Sequence, residues 1–306
     1  MRLSILMGGM TILCVAAAGL AAQAAMQDRP ELVRSADRQH RDSAAPISQI
    51  VSYGPDRLQK IDFYAAPGKQ AAPLVIFVHG GGWKRGDKAM MDGSAKLTHW
   101  RGQGYAVASV NYRLVPAARV EDQAADVAAA VAALRRQARS LGFDPSRIVL
   151  SGHSAGAHLV ALVGTDPQWL QGAGLGMDAV RGVLAIDGAG YFVPDQMNWN
   201  RALMGDTYQQ AFGTDPARQK ALSPTAHADA PNAPAFLVIH VDGRADAAAQ
   251  SESLAKGLRM ARTPVELKSV PGRGLRGHRD INRRLGEVDY PATAIVDAWL
   301  AAVFAR

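Results

Sequence analysis

A serine stands between two glycines in GHSAG, residues 152–156, directly after the apolar run of SRIVLSG and before the helix-forming AHLVAL. A hydroxyl becomes a nucleophile only when it stands clear of its own backbone and a base can take its proton. Small residues on both sides permit the sharp strand-to-helix turn that would present Ser154 in this way. A second segment, VIFVHGGGW, runs as a strand into three glycines at 80–82. Acyl transfer places negative charge on a former carbonyl oxygen, and each backbone N–H aimed at that oxygen contributes about 3 kcal/mol to catalysis. Glycines let a chain bring such groups close to another molecule. Gly80 and Gly81 are therefore expected as donors, joined by the N–H of Ala155 at the positive start of the helix that follows Ser154. The expected base is His278, which follows VELKSVPGRGLRG in what reads as a glycine-rich loop after the last core strand. His79 reads as a side chain that fixes the glycine loop, His153 as one that packs or bonds locally in the elbow, and His158 as an ordinary helix residue. No pair of histidines or carboxylates has metal-ligand spacing, so neither a metal nor another cofactor is expected.

These groups need a scaffold that brings distant segments to one edge. PLVIFVH and YAVASVNY are unbroken apolar runs, as in strands covered on both faces, whereas LQKIDFYA alternates like a half-exposed strand. SRIVLSG, VRGVLAID, AFLVIHV and VELKSV supply four more strands. Val127, Val131, Leu134, Ala138 and Leu141 recur at helical spacing and make one amphipathic crossover helix, and AAAQSESLAKGLRMA reads as another. Strands alternating with helices predict an α/β fold: a doubly wound, mostly parallel sheet with helices on both faces and its chemistry at the carboxyl ends of the strands. Residues 188–234 break the rhythm with scattered Pro and Gly and read as a lid-like insertion over that edge, with Tyr191, Phe192 and Trp199 as candidate pocket walls.

The net charge of +7 comes from 34 basic residues that are scattered apart from RGLRGHRDINRR, residues 273–284. No basic run is interleaved with aromatics, which argues against nucleic acid as a partner. At the amino terminus Arg2 precedes an apolar run from Leu3 to Leu20 and the small residues of AAQAA. This pattern predicts a signal peptide over 1–24, followed by a polar linker or arm over 25–46 and one domain over 47–306. Cleavage would remove Cys14, the single cysteine. The expected product is a periplasmic or secreted protein, held to no membrane and free of disulfides, which a core of this size does not need.

Together HGGGW, GHSAGAHL, VNYRL, AIDGAGYF, AFGTDPARQKALSP and HRDINRRLG resemble the α/β-hydrolase esterases of the feruloyl-esterase-like group, which shade into kynurenine formamidases. The resemblance spans about residues 50–305. It implies the α/β-hydrolase fold, with Ser154 as nucleophile, His278 as base and Gly80, Gly81 and Ala155 as oxyanion donors. Proteins of this kind carry the triad acid shortly after the strand that here reads FLVIHV, at a place that aligns with Gly243; in this chain Asp242 and Asp246 stand on either side of it. Asp246 directly precedes a helix-like stretch, where an aspartate serves as a cap. Asp242, at the carboxyl end of the strand beside a glycine, is therefore the preferred acid, with Asp246 second and Asp187 at the end of the preceding strand third. The expected function is a serine hydrolase that cleaves a small-molecule carboxylic ester through an acyl-enzyme. The alternatives are a kynurenine formamidase-like amidohydrolase and a non-catalytic binding protein on a hydrolase fold.

Overall fold

The computed structural model describes residues 47–199, 206–229 and 231–306. The expected leader over 1–24 and arm over 25–46 lie outside these described residues. Eight strands form one sheet: β1 Gln49–Ser52, β2 Lys60–Tyr64, β3 Ala72–Val78, β4 Ala106–Val110, β5 Phe143–His153, β6 Gly182–Ile186, β7 Phe236–Gly243 and β8 Val265–Arg273. Their spatial order is β1-β2-β4-β3-β5-β6-β7-β8. The pairs β1–β2 and β2–β4 are antiparallel, and every pair from β4 through β8 is parallel. The doubly wound, mostly parallel sheet is thus as expected.

Alternation along the unbroken apolar strands builds two cores. In β3, Leu74, Ile76 and Val78 join one cluster while Val75 and Phe77 join the other. In β7, Phe236 and Val238 go one way and Leu237, Ile239 and Val241 the other. A strand covered on both faces needs apolar residues at both phases of its period-two pattern, which is why these strands lack polar alternation. The first cluster is closed by α2, Val120–Arg136, by α3, Ala155–Thr165, and by α4, Ala245–Met260. The second is closed by α1, Ala95–Gly102, by α5, Gly274–Arg284, and by α6, Pro291–Phe304.

Three elements differ from expectation. The crossover helix read through Leu141 ends at Arg136, and Ala138–Leu141 is a separate short helix. β1 is only four residues long, with Val51 alone buried, so it offers no pattern to read. The segment GLRGHRDINRR, expected as a loop, is the helix α5. Gly277 is buried in it because a Cβ there would stand 2.8 Å from Cγ1 of Val241, so this glycine serves close helix–strand packing rather than a turn. The sheet order places β3 and β5 side by side with β4 on the far side of β3. Chain direction diverges there, and the crevice at the carboxyl ends of β3 and β5 is where an open α/β sheet receives ligands.

Candidate active site

Ser154 follows β5 and caps α3 with φ 58° and ψ −120°. A non-glycine residue with positive φ costs of order 1–3 kcal/mol and persists only where its surroundings enforce it. The Ser154 N–H donates to the carbonyl of Ile186 in β6 at 3.0 Å, which fixes the turn from one side. On the other side α3 lies so close to β3 that a Cβ on Gly156 would run into the carbonyl oxygen of Val78. Gly156 is therefore required by packing against β3, and Gly152 by the start of α3, since a Cβ on Gly152 would run into the Gly156 carbonyl.

The loop after β3 abuts this elbow: a Cβ built on Gly80 would stand 3.0 Å from Cβ of Ser154. Gly81 has φ +128°, a conformation side chains rarely adopt, and a Cβ on it would meet the carbonyl of Arg85. Among the described residues, no hydrogen-bond acceptor takes the N–H of Gly80, Gly81 or Ala155. His79 fixes the loop as expected. Its Nδ1 lies 2.8 Å from the Gly80 carbonyl, its ring stacks on Tyr112 at 4.4 Å, and the Tyr112 hydroxyl donates to the His79 carbonyl at 3.0 Å. His158 is a hydrogen-bonded helix residue, as expected. Its Nε2 donates to the Leu222 carbonyl at 2.8 Å, and its Nδ1 accepts from Nε1 of Trp83 at 3.3 Å. These opposite demands fix a neutral tautomer, and burial holds the ring at about 4.

His278 reaches the elbow from α5. Its Nε2 lies 3.0 Å from Oγ of Ser154 and its Nδ1 lies 2.6 Å from Oδ2 of Asp187. The tautomer with Nδ1–H donated to the carboxylate leaves Nε2 free to accept the serine proton. Asp187 directly follows β6 with φ 44° and is fully buried. Its Oδ1 accepts from the Val241 N–H at 3.0 Å, and its Oδ2 also receives Nη1 of Arg244 at 2.5 Å. Burial alone would raise this carboxyl, but the bond from His278, the charges of Arg244 and His278 and the Val241 N–H overcome it and hold Asp187 at about 2.

The acid assignment from sequence is corrected on both counts. Asp242 is exposed and its Oδ1 accepts from the Gly272 N–H at 3.2 Å, so its carboxylate turns toward β8 and away from His278. Asp246 lies inside the first turn of α4, after Arg244 at the cap position; its carboxylate meets Nη2 of Arg244 at 3.1 Å and does not cap the helix. Asp187, ranked third, is the carboxylate bonded to His278. Two further residues contact His278. Nothing in the sequence points to Arg244, whose Nη1 stands 2.8 Å from Nδ1 of His278 as well as bonding Asp187. His153 does more than bond within the elbow: its Nε2 donates to the His278 carbonyl at 2.9 Å and its ring lies 4.4 Å from the His278 ring. Burial, reinforced by His278, keeps His153 well below its ordinary value and hence neutral. Of the candidate pocket walls, Tyr191 is fully buried in the core beneath Gly188, Phe192 is half-buried, and Trp199 is exposed at the end of the short helix Val193–Asn198. The packing role therefore holds for Tyr191.

The chain is similar to known proteins in sequence and in fold. Esterase LipC of Mycobacterium tuberculosis is 32% identical over 238 residues, covering 73% of this chain and 58% of that protein. The carboxylic ester hydrolase LipN of the same organism is 32% identical over 224 residues, covering 67% of this chain and 57% of that protein. The chain thus spans less than two thirds of the length of these curated relatives. Among solved structures, esterase B from Lactobacillus rhamnosis superposes with a TM-score of 0.66 at 21% identity, covering 94% of this chain and 95% of that one. A truncated carbohydrate esterase from gut microbiota superposes with a TM-score of 0.69 at 21% identity, covering 86% and 98%. These likenesses establish the α/β-hydrolase fold. The BD-FAE family profile matches residues 61–258, a span that holds the glycine loop, the elbow, Asp187 and Arg244, and the chain belongs to the BD-FAE family.

Proposed function

We propose that this protein is a serine hydrolase that cleaves small-molecule carboxylic esters through an acyl-enzyme. The observation that carries the reading is the unbroken line of bonds from Ser154 Oγ through His278 to Asp187, 3.0 Å and 2.6 Å long. In the first half-reaction His278 Nε2 takes the hydroxyl proton as Ser154 Oγ attacks the ester carbonyl. Asp187 keeps Nδ1 protonated and stabilises the imidazolium that forms. The N–H groups of Gly80, Gly81 and Ala155 receive the oxyanion. His278 then returns the proton to the leaving alkoxide, and water repeats the sequence to free the acid. The esterase names borne by LipC and LipN support this reading. A carboxylate bonded to His278 also removes the sequence argument for a non-catalytic protein. Export to the periplasm or medium belongs to the same proposal and rests on the amino-terminal pattern of residues 1–24.

Ser154→Ala tests the reading. Turnover of an aryl ester should fall by on the order of 10⁶-fold, and labelling by a serine-reactive phosphonate should vanish, with the fold unchanged by circular dichroism. Retention of labelling in the variant would place the nucleophile elsewhere.

A further inference from the structure

The connection from β7 into α4 delivers a cation where an acid was expected. Arg244 is mostly buried, and its guanidinium spans two carboxylates: Nη1 bonds Asp187 Oδ2 at 2.5 Å and Nη2 bonds Asp246 Oδ2 at 3.1 Å. The same Nη1 stands 2.8 Å from Nδ1 of His278. When Nδ1 carries the proton it gives to Asp187, two N–H donors converge on one carboxylate oxygen. Arg244 then orients that oxygen while opposing a second positive charge on the imidazole. The carboxylate of Asp246 offsets part of the arginine's charge from the other side. Other groups lie nearby, among them the buried hydroxyl-bearing Tyr191 and Tyr290, which face Asp187. His153 from β5 is neutral and bonds the His278 carbonyl. Asp242 at the end of β7 is exposed and turned to Gly272, and Arg273 at the end of β8 is exposed. Lys96 from α1 donates to the Asn282 carbonyl at 2.8 Å, one turn along α5. Among the described residues, Asp187 and Arg244 are the hydrogen-bond partners of His278 Nδ1.

We propose that Arg244 is a positioning residue that sets the lowest pH at which His278 can serve as base, and that Asp246 tunes the same property in the opposite direction through Arg244. The proposal rests on the esterase reading above. A charge within hydrogen-bond reach of a titrating group moves its titration by one unit or more. Loss of the arginine charge favours the imidazolium, so the acid limb of the activity profile should move to higher pH. Loss of the Asp246 charge leaves Arg244 less neutralised and disfavours the imidazolium, so that limb should move to lower pH.

The experiment measures the rate of inactivation by a phosphonate ester between pH 5 and 9 for the wild-type chain, R244Q, R244K and D246N, with Ser154→Ala as the blank. The acid limb is expected to rise by on the order of 1 pH unit in R244Q and to fall by a smaller amount in D246N. R244K, which keeps the charge, should stay near wild type. Should R244Q fail to fold by circular dichroism, R244K and D246N decide. Coincident limbs, or shifts of the same sign in R244Q and D246N, would overturn the proposal. A wild-type chain that is not labelled, or a blank that is, would overturn the esterase reading on which it stands.

Discussion

The carboxyl ends of β5 and β7 carry similar local signals and serve different ends. After β5 the signal is complete within five residues: Gly152, Ser154 and Gly156 meet steric demands that any such strand-to-helix turn imposes, and the serine stands where those demands put it. After β7 two aspartates within five residues offer equally good chemistry, yet neither bonds His278. The carboxylate that bonds His278 is that of Asp187, directly after β6, the strand beside β5 in the sheet. A turn is a property of contiguous residues. A triad acid is a property of strand order and of which carboxylate can be buried with its charge compensated.

The comparison can be broken first at the glycine loop. Gly81→Ala forces a Cβ into the Arg85 carbonyl at a φ of +128°, so the donor should be displaced and kcat for an aryl ester should fall by about 100-fold or more. A change confined to KM would mean that Gly81 shapes binding and donates nothing to the transition state. A smaller effect sharpens the contrast between fixed and adjustable parts of the site. His158 links the Trp83 side of the glycine loop to Leu222 of the insertion as a neutral ring, and burial lowers it from 6.5 to about 4. The folded state therefore resists a proton that the unfolded chain accepts. Its contribution is complete above about pH 6.5 and is lost as pH falls to about 4, by on the order of 3 kcal/mol. Urea melts of wild type and His158→Gln at pH 7 and pH 4.5 check this: the variant should lose less stability on acidification. Equal losses would assign the acid sensitivity to other groups.

Much of this was legible in the sequence because it was local. The apolar strands of β3 to β7, the GHSAG elbow and the HGGG loop each follow from the sterics of a few neighbouring residues. His278 was legible by type and by its place after the last strand, but its helix was not: Gly272, Gly274 and Gly277 read as a loop, whereas Gly277 is required by the approach of Val241. Asp187 was visible as the aspartate that ends VLAID, yet its rank depended on β6 lying next to β5, which no local pattern reveals. Arg244 offered no signal at all until its two carboxylates were brought to it, one from 57 positions away in the chain.

The central claim is that Asp187, and not an aspartate of the β7–α4 connection, holds His278 for catalysis. Comparison of kcat for an aryl ester in Asp187→Asn and Asp242→Asn tests it most directly. Asp187→Asn should lower kcat by about 10⁴-fold, as expected when an amide replaces the carboxylate that fixes the tautomer, while Asp242→Asn should stay within a few-fold of wild type. Loss of turnover in Asp242→Asn with activity retained in Asp187→Asn would contradict the account.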